Sequence, residues 1–126
     1  MNAIQIEPTK STPQVIFDPV ESSLLITGQS YPENAFKFYE PIIEMLETYF
    51  AEGHQGLKVQ LSFRYINTSS SKCLMSILDR LEEAHIAQHQ IAVIWYVDPE
   101  NESEQECAEE FQEDATFSFQ IVPHNS

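Results

Sequence analysis

Apolar residues fall into two periods along this chain, and the change from one to the other marks its elements. Val15-Ile16-Phe17 stops at Asp18-Pro19, and Leu24-Leu25-Ile26 stops at Gly28. Two short apolar runs around a proline-containing polar turn predict an antiparallel strand pair. From Ala35 the period becomes helical: Ala35, Phe38, Tyr39, Ile42, Leu46 and Tyr49 share a face, widened by Phe36, Ile43 and Phe50. Glu33, Lys37, Glu40, Glu44 and Glu47 take the other face. Ser30, three residues before Glu33 with Pro32 between them, reads as a capping box that opens this helix. Pro41 predicts a kink, and Gly53 a stop. Leu57, Val59, Leu61 and Phe63 then alternate with Lys58, Gln60, Ser62 and Arg64, the pattern of a strand.

Leu74, Ile77, Leu78, Leu81 and His85 line a second helix. Ile91 to Val97 is a nearly continuous apolar run, which predicts a central strand covered on both faces. Cys107, Ala108 and Phe111 suit a short helix, and Phe117, Phe119 and Ile121 alternate as a last strand. Strands separated by helices predict an α/β fold: a single mixed sheet of about five strands with two long helices and one short one packed on it. Residues 1–13, polar and containing Pro8 and Pro13, read as a flexible leader, 14–123 as the single domain and 124–126 as a tail.

Composition narrows the function classes. The 126 residues are 42% hydrophobic, enough for one core and too many for a disordered chain. Twenty Asp and Glu against six Lys and Arg give a net charge of −14. That balance excludes nucleic acid, whose phosphates need clustered bases, and direct binding to anionic membranes. The opening Met-Asn-Ala-Ile-Gln-Ile-Glu lacks the basic region and apolar run of a signal peptide, and Cys73 and Cys107 make no disulfide framework. A cytoplasmic protein with free thiols is expected.

Three features could carry chemistry. Asp98 to Asp114 holds nine acids in seventeen residues. Asp98, Glu100, Glu102 and Glu109 fall at calcium-loop positions, but Ser103 stands where the turn requires glycine and a strand precedes the segment. A solvated acidic face is the expectation. Cys73 lies early in the second helix, where amide dipoles lower a thiol pKa. His85, twelve residues along, is about 18 Å away and cannot serve it as a base, and His54, His89 or His124 could reach it only through folding. Cys73 is expected to be a packed thiol, with a small thiol enzyme as the alternative. The three glycines form no phosphate loop, so neither cofactor nor metal is expected. The third feature is Asn67-Thr68-Ser69-Ser70-Ser71-Lys72. One such residue suffices to cap a helix, and here five short polar side chains stand in succession. A hydroxyl at a helix start is also where a phosphate is electrostatically welcome. A helix cap and a regulatory phosphosite both fit.

Three blocks resemble the SiaC family of bacterial regulatory phosphoproteins: Ile26-Thr-Gly-Gln-Ser-Tyr-Pro-Glu-Asn34, Tyr65-Ile-Asn-Thr-Ser-Ser-Ser-Lys72, and Val93-Ile-Trp-Tyr-Val-Asp98 leading to the acidic Ala108–Asp114. The resemblance spans about Thr12 to Pro123. It implies a STAS-type fold like that of anti-sigma-factor antagonists, without catalytic activity, whose switch is the threonine of the Asn-Thr-Ser-Ser motif, here Thr68. It further implies a partner protein kinase (SiaB-like) that phosphorylates Thr68 and a PP2C-type phosphatase (SiaA-like) that removes the phosphate. The unmodified form would bind and activate a diguanylate cyclase (SiaD-like), raising cyclic di-GMP and favouring biofilm. Asn67, Thr68, Ser69, Ser70, Ser71 and Lys72, with Tyr31, Pro32, Glu33 and Asn34, would form the docking surface. Ser69, Ser70 and Ser71 are competing acceptors. The alternative to a phospho-switch is an acidic scaffold that uses its charge to find a basic partner.

Overall fold

The Asp18 carboxylate accepts the amides of Val20 and Glu21, at 3.0 and 3.2 Å, and so turns the chain back on itself. The two strands that this turn joins are β2 (Gln14–Asp18) and β3 (Ser23–Ser30), paired antiparallel as the sequence predicts. The computed structural model describes residues 2–124, so residue 1 of the expected leader and residues 125–126 of the expected tail lie outside it. Within the expected leader the chain is not featureless. Ile4–Ile6 forms β1 and extends the sheet antiparallel to β2, with Ile4 and Ile6 against the core. The sheet therefore has six strands, close to the expected number of about five, with β1 as the addition.

Beyond β3 the chain alternates: α1 (Ala35–Ala51), β4 (Gly56–Ile66), α2 (Thr68–Ile86), β5 (Gln90–Val97), α3 (Glu102–Glu113) and β6 (Ser118–Pro123). Strand order follows chain order, and β3, β4, β5 and β6 are parallel. Right-handed crossovers that all step the same way put all three helices on one face of the sheet. Burial agrees: Leu57, Val59, Leu61 and Phe63 of β4 and Ile91, Val93, Trp95 and Val97 of β5 are buried, while the residues between them are half-buried or exposed. Here the structure corrects the expectation that β5 is covered on both faces. Ala92, Ile94 and Tyr96 lie on the open face, where the Tyr96 hydroxyl accepts from Gln60 Nε2 at 3.2 Å. A strand flanked by neighbours on both edges can carry apolar residues on its open side.

Helix α1 runs through Pro41 as one element. Its start differs from the expected capping box. Pro32 biases Tyr31 towards extended backbone, so Ser30 stays in the sheet and Asn34 becomes the cap, accepting the Lys37 amide at 3.1 Å. At the other end of the chain, the carboxylate of Glu82 on α2 accepts both the amide of Thr116, at 3.0 Å, and its hydroxyl. These bonds hold the Glu82 carboxyl below its ordinary value of 4.5. A carboxyl with a depressed folded-state pKa contributes stability above its unfolded value, and that contribution is lost as pH falls through the folded one. Glu82→Gln is therefore expected to lower the urea midpoint slightly at pH 7 and to converge on the wild type under acid conditions. Equal differences at both pH values would show that the charge plays no part.

Candidate functional site

The two sequence blocks around Ser30 and Thr68 meet at the carboxyl ends of adjacent parallel strands, where Ser30 pairs with Ile66. Three hydrogen bonds close a ring there. The Asn67 amide donates to the Ser30 carbonyl at 2.9 Å. The Asn67 side chain accepts the Ser70 amide at 2.8 Å. The Ser30 hydroxyl donates to Ser70 Oγ at 2.8 Å. A fourth group, the Tyr39 hydroxyl of α1, lies 2.7 Å from Ser30 Oγ. Ser30 commits its single proton to Ser70, so Tyr39 is the donor to Ser30. Burial pushes the Tyr39 phenol up to about 12, which keeps that proton in place. Ser30, Tyr39 and Ser70 are all fully buried.

This ring sorts the hydroxyl run. Ser70 points inward and Ser71 is half-buried, while Thr68, Ser69 and Lys72 are exposed. Asn67 is the cap of α2, as its residue type suggests, and its carbonyl takes the Ser71 amide at 2.9 Å. With Ser70 and Ser71 served, the amides of Thr68 and Ser69 have no protein partner among the described residues. They lie at the positive end of the nineteen-residue helix. Thr68, Lys72, Met75 and Asp79 succeed one another at helical spacing and are all exposed, so Thr68 begins the outward line of α2.

Exposed aromatic and thioether side chains share that end of the fold. Tyr65 is 55% exposed because β4 carries an extra residue there: Gly28 pairs with Phe63 and Gln29 with Tyr65, leaving Arg64 as a bulge. A bulge re-aims the side chains beyond it, and Tyr65 turns outward to meet Tyr31 edge to face at 5.8 Å. Phe36, at 65% exposure, was expected to widen the buried stripe of α1. It stands about three turns before Glu47, as Ser69 stands about three turns before Arg80. The two helices run parallel and Glu47 meets Arg80 at 3.8 Å, so Phe36 and Ser69 belong to the same end of the helical layer. Met75 is 40% exposed. Of the remaining residues expected at this surface, Pro32 is half-buried, and Glu33 and the cap Asn34 are exposed. Phe36, Tyr65 and Met75 do not stand out in the sequence as surface residues; helical period and alternation both place the two aromatics in or near the core.

Other candidates resolve differently. Arg64 lines a groove of about 960 Å³ with Gln14, Thr27, Ser62, Glu100 and Glu104. Gln14, Thr27 and Ser62 belong to the open sheet face, away from the helices, so Arg64 stands on the other side of the sheet from Thr68. Cys73 is buried and its thiol is pushed up by that burial, the reverse of an activated nucleophile. His54 stacks on Tyr49 at 4.1 Å and its carbonyl contacts His89 Nδ1 at 2.6 Å. Both histidines lie just past the carboxyl ends of their helices, at the opposite pole from Cys73. The segment with calcium-loop spacing is helical from Glu102, capped by Asn101, with Glu102 and Glu104 favourably placed in its first turn.

The family model of SiaC family regulatory phosphoproteins matches residues 6–124. The chain belongs to the SiaC family. An uncharacterized protein of Pseudomonas aeruginosa strain UCBPP-PA14 is 40% identical over 125 residues, 99% of each chain. SiaC of P. aeruginosa has the same fold, with a TM-score of 0.93 and 39% identity over 98% of this chain and all of the other. A further SiaC structure matches at a TM-score of 0.92 and 40% identity, over 96% of this chain and 99% of the other; in it SiaC is in complex with diguanylate cyclase SiaD, whose activator it is. No helix among the described residues is long and apolar enough to cross a membrane.

Proposed function

We propose that this protein is a phospho-switched activator of a diguanylate cyclase. In its unmodified form it docks on the cyclase and stimulates cyclic di-GMP synthesis. Phosphorylation of Thr68 by a partner kinase of the SiaB type prevents docking, and a PP2C-type phosphatase of the SiaA type restores it. The observation that carries this reading is the outward-facing Thr68 at the end of the fold that also exposes Phe36, Tyr65 and Met75. Exposed aromatic and thioether side chains beside a switchable hydroxyl are what a docking face requires. The complex of SiaC with SiaD supplies the class of partner.

The two unpartnered amides at Thr68 and Ser69 also explain why the modification suits this position. A phosphate there sits against the positive end of α2, so the domain tolerates it. The switch then acts on docking rather than on folding. The charge of −14 favours a cyclase with a basic docking surface and an association rate that falls with salt.

The test is cyclase stimulation by purified protein, using the SiaD-like cyclase of the same organism. Phe36→Ala and Tyr65→Ala are each expected to weaken binding about tenfold or more, the loss typical of an aromatic anchor, with little change in thermal stability because both side chains are already exposed. Full stimulation by the double variant would place the docking face elsewhere.

A further inference from the structure

We propose that Ser30 and Tyr39 are positioning residues of the switch: their hydroxyl chain to Ser70 fixes the first turn of α2 so that Thr68 is offered and Ser70 is withheld. The inference rests on the reading of Thr68 as a phosphoacceptor. It concerns why Ser70, two residues from Thr68 and of similar chemistry, is not an acceptor. The composition of the run Thr68-Ser69-Ser70-Ser71 does not set Ser70 apart. Geometry does. Ser70 is fully buried, and its Oγ is the terminus of a chain that runs Tyr39 to Ser30 to Ser70.

The chain crosses three elements. Tyr39 belongs to the second turn of α1, Ser30 is the last residue of β3, and Ser70 is in the first turn of α2. Helix starts fray readily because their first amides lack helical partners. The Asn67 cap satisfies one amide, but capping does not decide which way the turn faces. Ser30 decides it by gripping the turn at two points, its carbonyl on the Asn67 amide and its hydroxyl on Ser70 Oγ. The same residue leads directly into Tyr31, which packs on Tyr65. The acceptor and the aromatic rim are therefore held in one register.

Stability and positioning separate in a pair of variants. Ser30→Ala breaks the chain and leaves two buried hydroxyls, those of Tyr39 and Ser70, without their partner. Ser30→Ala with Tyr39→Phe also lacks the chain but orphans the Ser70 hydroxyl alone, and each buried polar group left unpaired adds its own desolvation cost. Thermal stability is expected to fall in the single variant and to recover in part in the double. Amide hydrogen exchange at Ser70 and Ser71, taken relative to mid-helix amides of α2, is expected to stay raised about fivefold in both, the equilibrium factor of one ordinary hydrogen bond. Val93→Ala, a truncation in the middle of β5, serves as a control that lowers stability without raising that ratio. After treatment with the SiaB-like kinase, phosphopeptide mapping should find phosphate on Ser70 as well as Thr68 in both Ser30 variants and on Thr68 without Ser70 in Val93→Ala. First-turn exchange that tracks global stability through all the variants would overturn the proposal. So would phosphate still confined to Thr68 when the turn exchanges fast. A wild-type run that carries no phosphate would instead remove the phospho-switch, and the exchange ratio would still decide whether Ser30 and Tyr39 position the turn.

Discussion

Protein carrying a stoichiometric phosphate on Thr68 is expected to lose cyclase stimulation, with its affinity for the cyclase lowered about a hundredfold or more. The size comes from desolvation. A phosphothreonine brings about −1.5 to −2 charges to a surface where the unmodified side chain is a neutral hydroxyl. Burying a charge without a matched cation costs several kcal/mol, and about 2.7 kcal/mol already corresponds to a hundredfold. A partner whose basic groups pair with the permanent carboxylates of this protein, and which seats Phe36, Tyr65 and Met75 beside a neutral Thr68, has no cation placed at Thr68 itself. Lys72, one turn along the same exposed line, can screen the phosphate in the free protein, and the unpartnered amides of Thr68 and Ser69 can hydrogen-bond it. Both interactions favour the undocked state. Thermal stability of the phosphoprotein is accordingly expected to equal or exceed that of the unmodified form. Titration calorimetry and cyclase turnover with both forms check the first expectation, and a melting curve checks the second. A phosphoprotein that stimulates the cyclase as well as the unmodified one would reduce Thr68 to a helix start and leave an acidic scaffold as the surviving reading. A phosphoprotein with a markedly lower melting temperature would mean that the switch works by unfolding α2.

How far the sequence carries depends on whether a residue's partners are local. The helices and the four parallel strands are legible because their periods are long and nearly uninterrupted. The Asn67 cap is legible too, since a cap and its amide lie three residues apart. Ser30 is not. Its pattern with Glu33 resembles a capping box, yet its hydroxyl partners lie nine and forty residues away, and only the folded chain brings them together. Tyr65 misleads for another reason: alternation along β4 predicts it to be buried, and a single bulge at Arg64 reverses that. Strand β1 is three residues long, too short for any period to register. The open face of β5 is hidden because a continuous apolar run does not say what covers it. The resemblance to the SiaC family identifies the two segments of the candidate site. That they touch, and through which atoms, needs the structure.

Trp95→Ala is expected to destabilise the domain by about 3–5 kcal/mol, a large part of the roughly 5–15 kcal/mol that holds a domain of this size. Trp95 is 1% exposed and packs against Phe111 of α3 at 5.3 Å, Phe119 of β6 at 6.2 Å and Phe63 of β4 at 5.7 Å. It is thus the common wall of three elements, and no small residue can collapse into that space. Trp95→Phe separates volume from polarity. The indole Nε1 is buried without a hydrogen-bond partner among the described residues, and an unpaired buried donor costs about 1–3 kcal/mol. Its removal offsets much of the lost contact area, so Trp95→Phe is expected to cost less than about 1.5 kcal/mol, within the range of tolerated hydrophobic swaps. Urea denaturation followed by circular dichroism gives both values, since the only tryptophan of the chain is the residue replaced. The midpoint should move while the slope stays constant. Trp95 lies on β5, two strands from Ser30, so Trp95→Phe should leave cyclase stimulation per folded molecule unchanged. If it abolished stimulation without loss of stability, the aromatic cluster under α3 would be part of the signalling surface, and the acidic helix above it would become the next place to look for a contact.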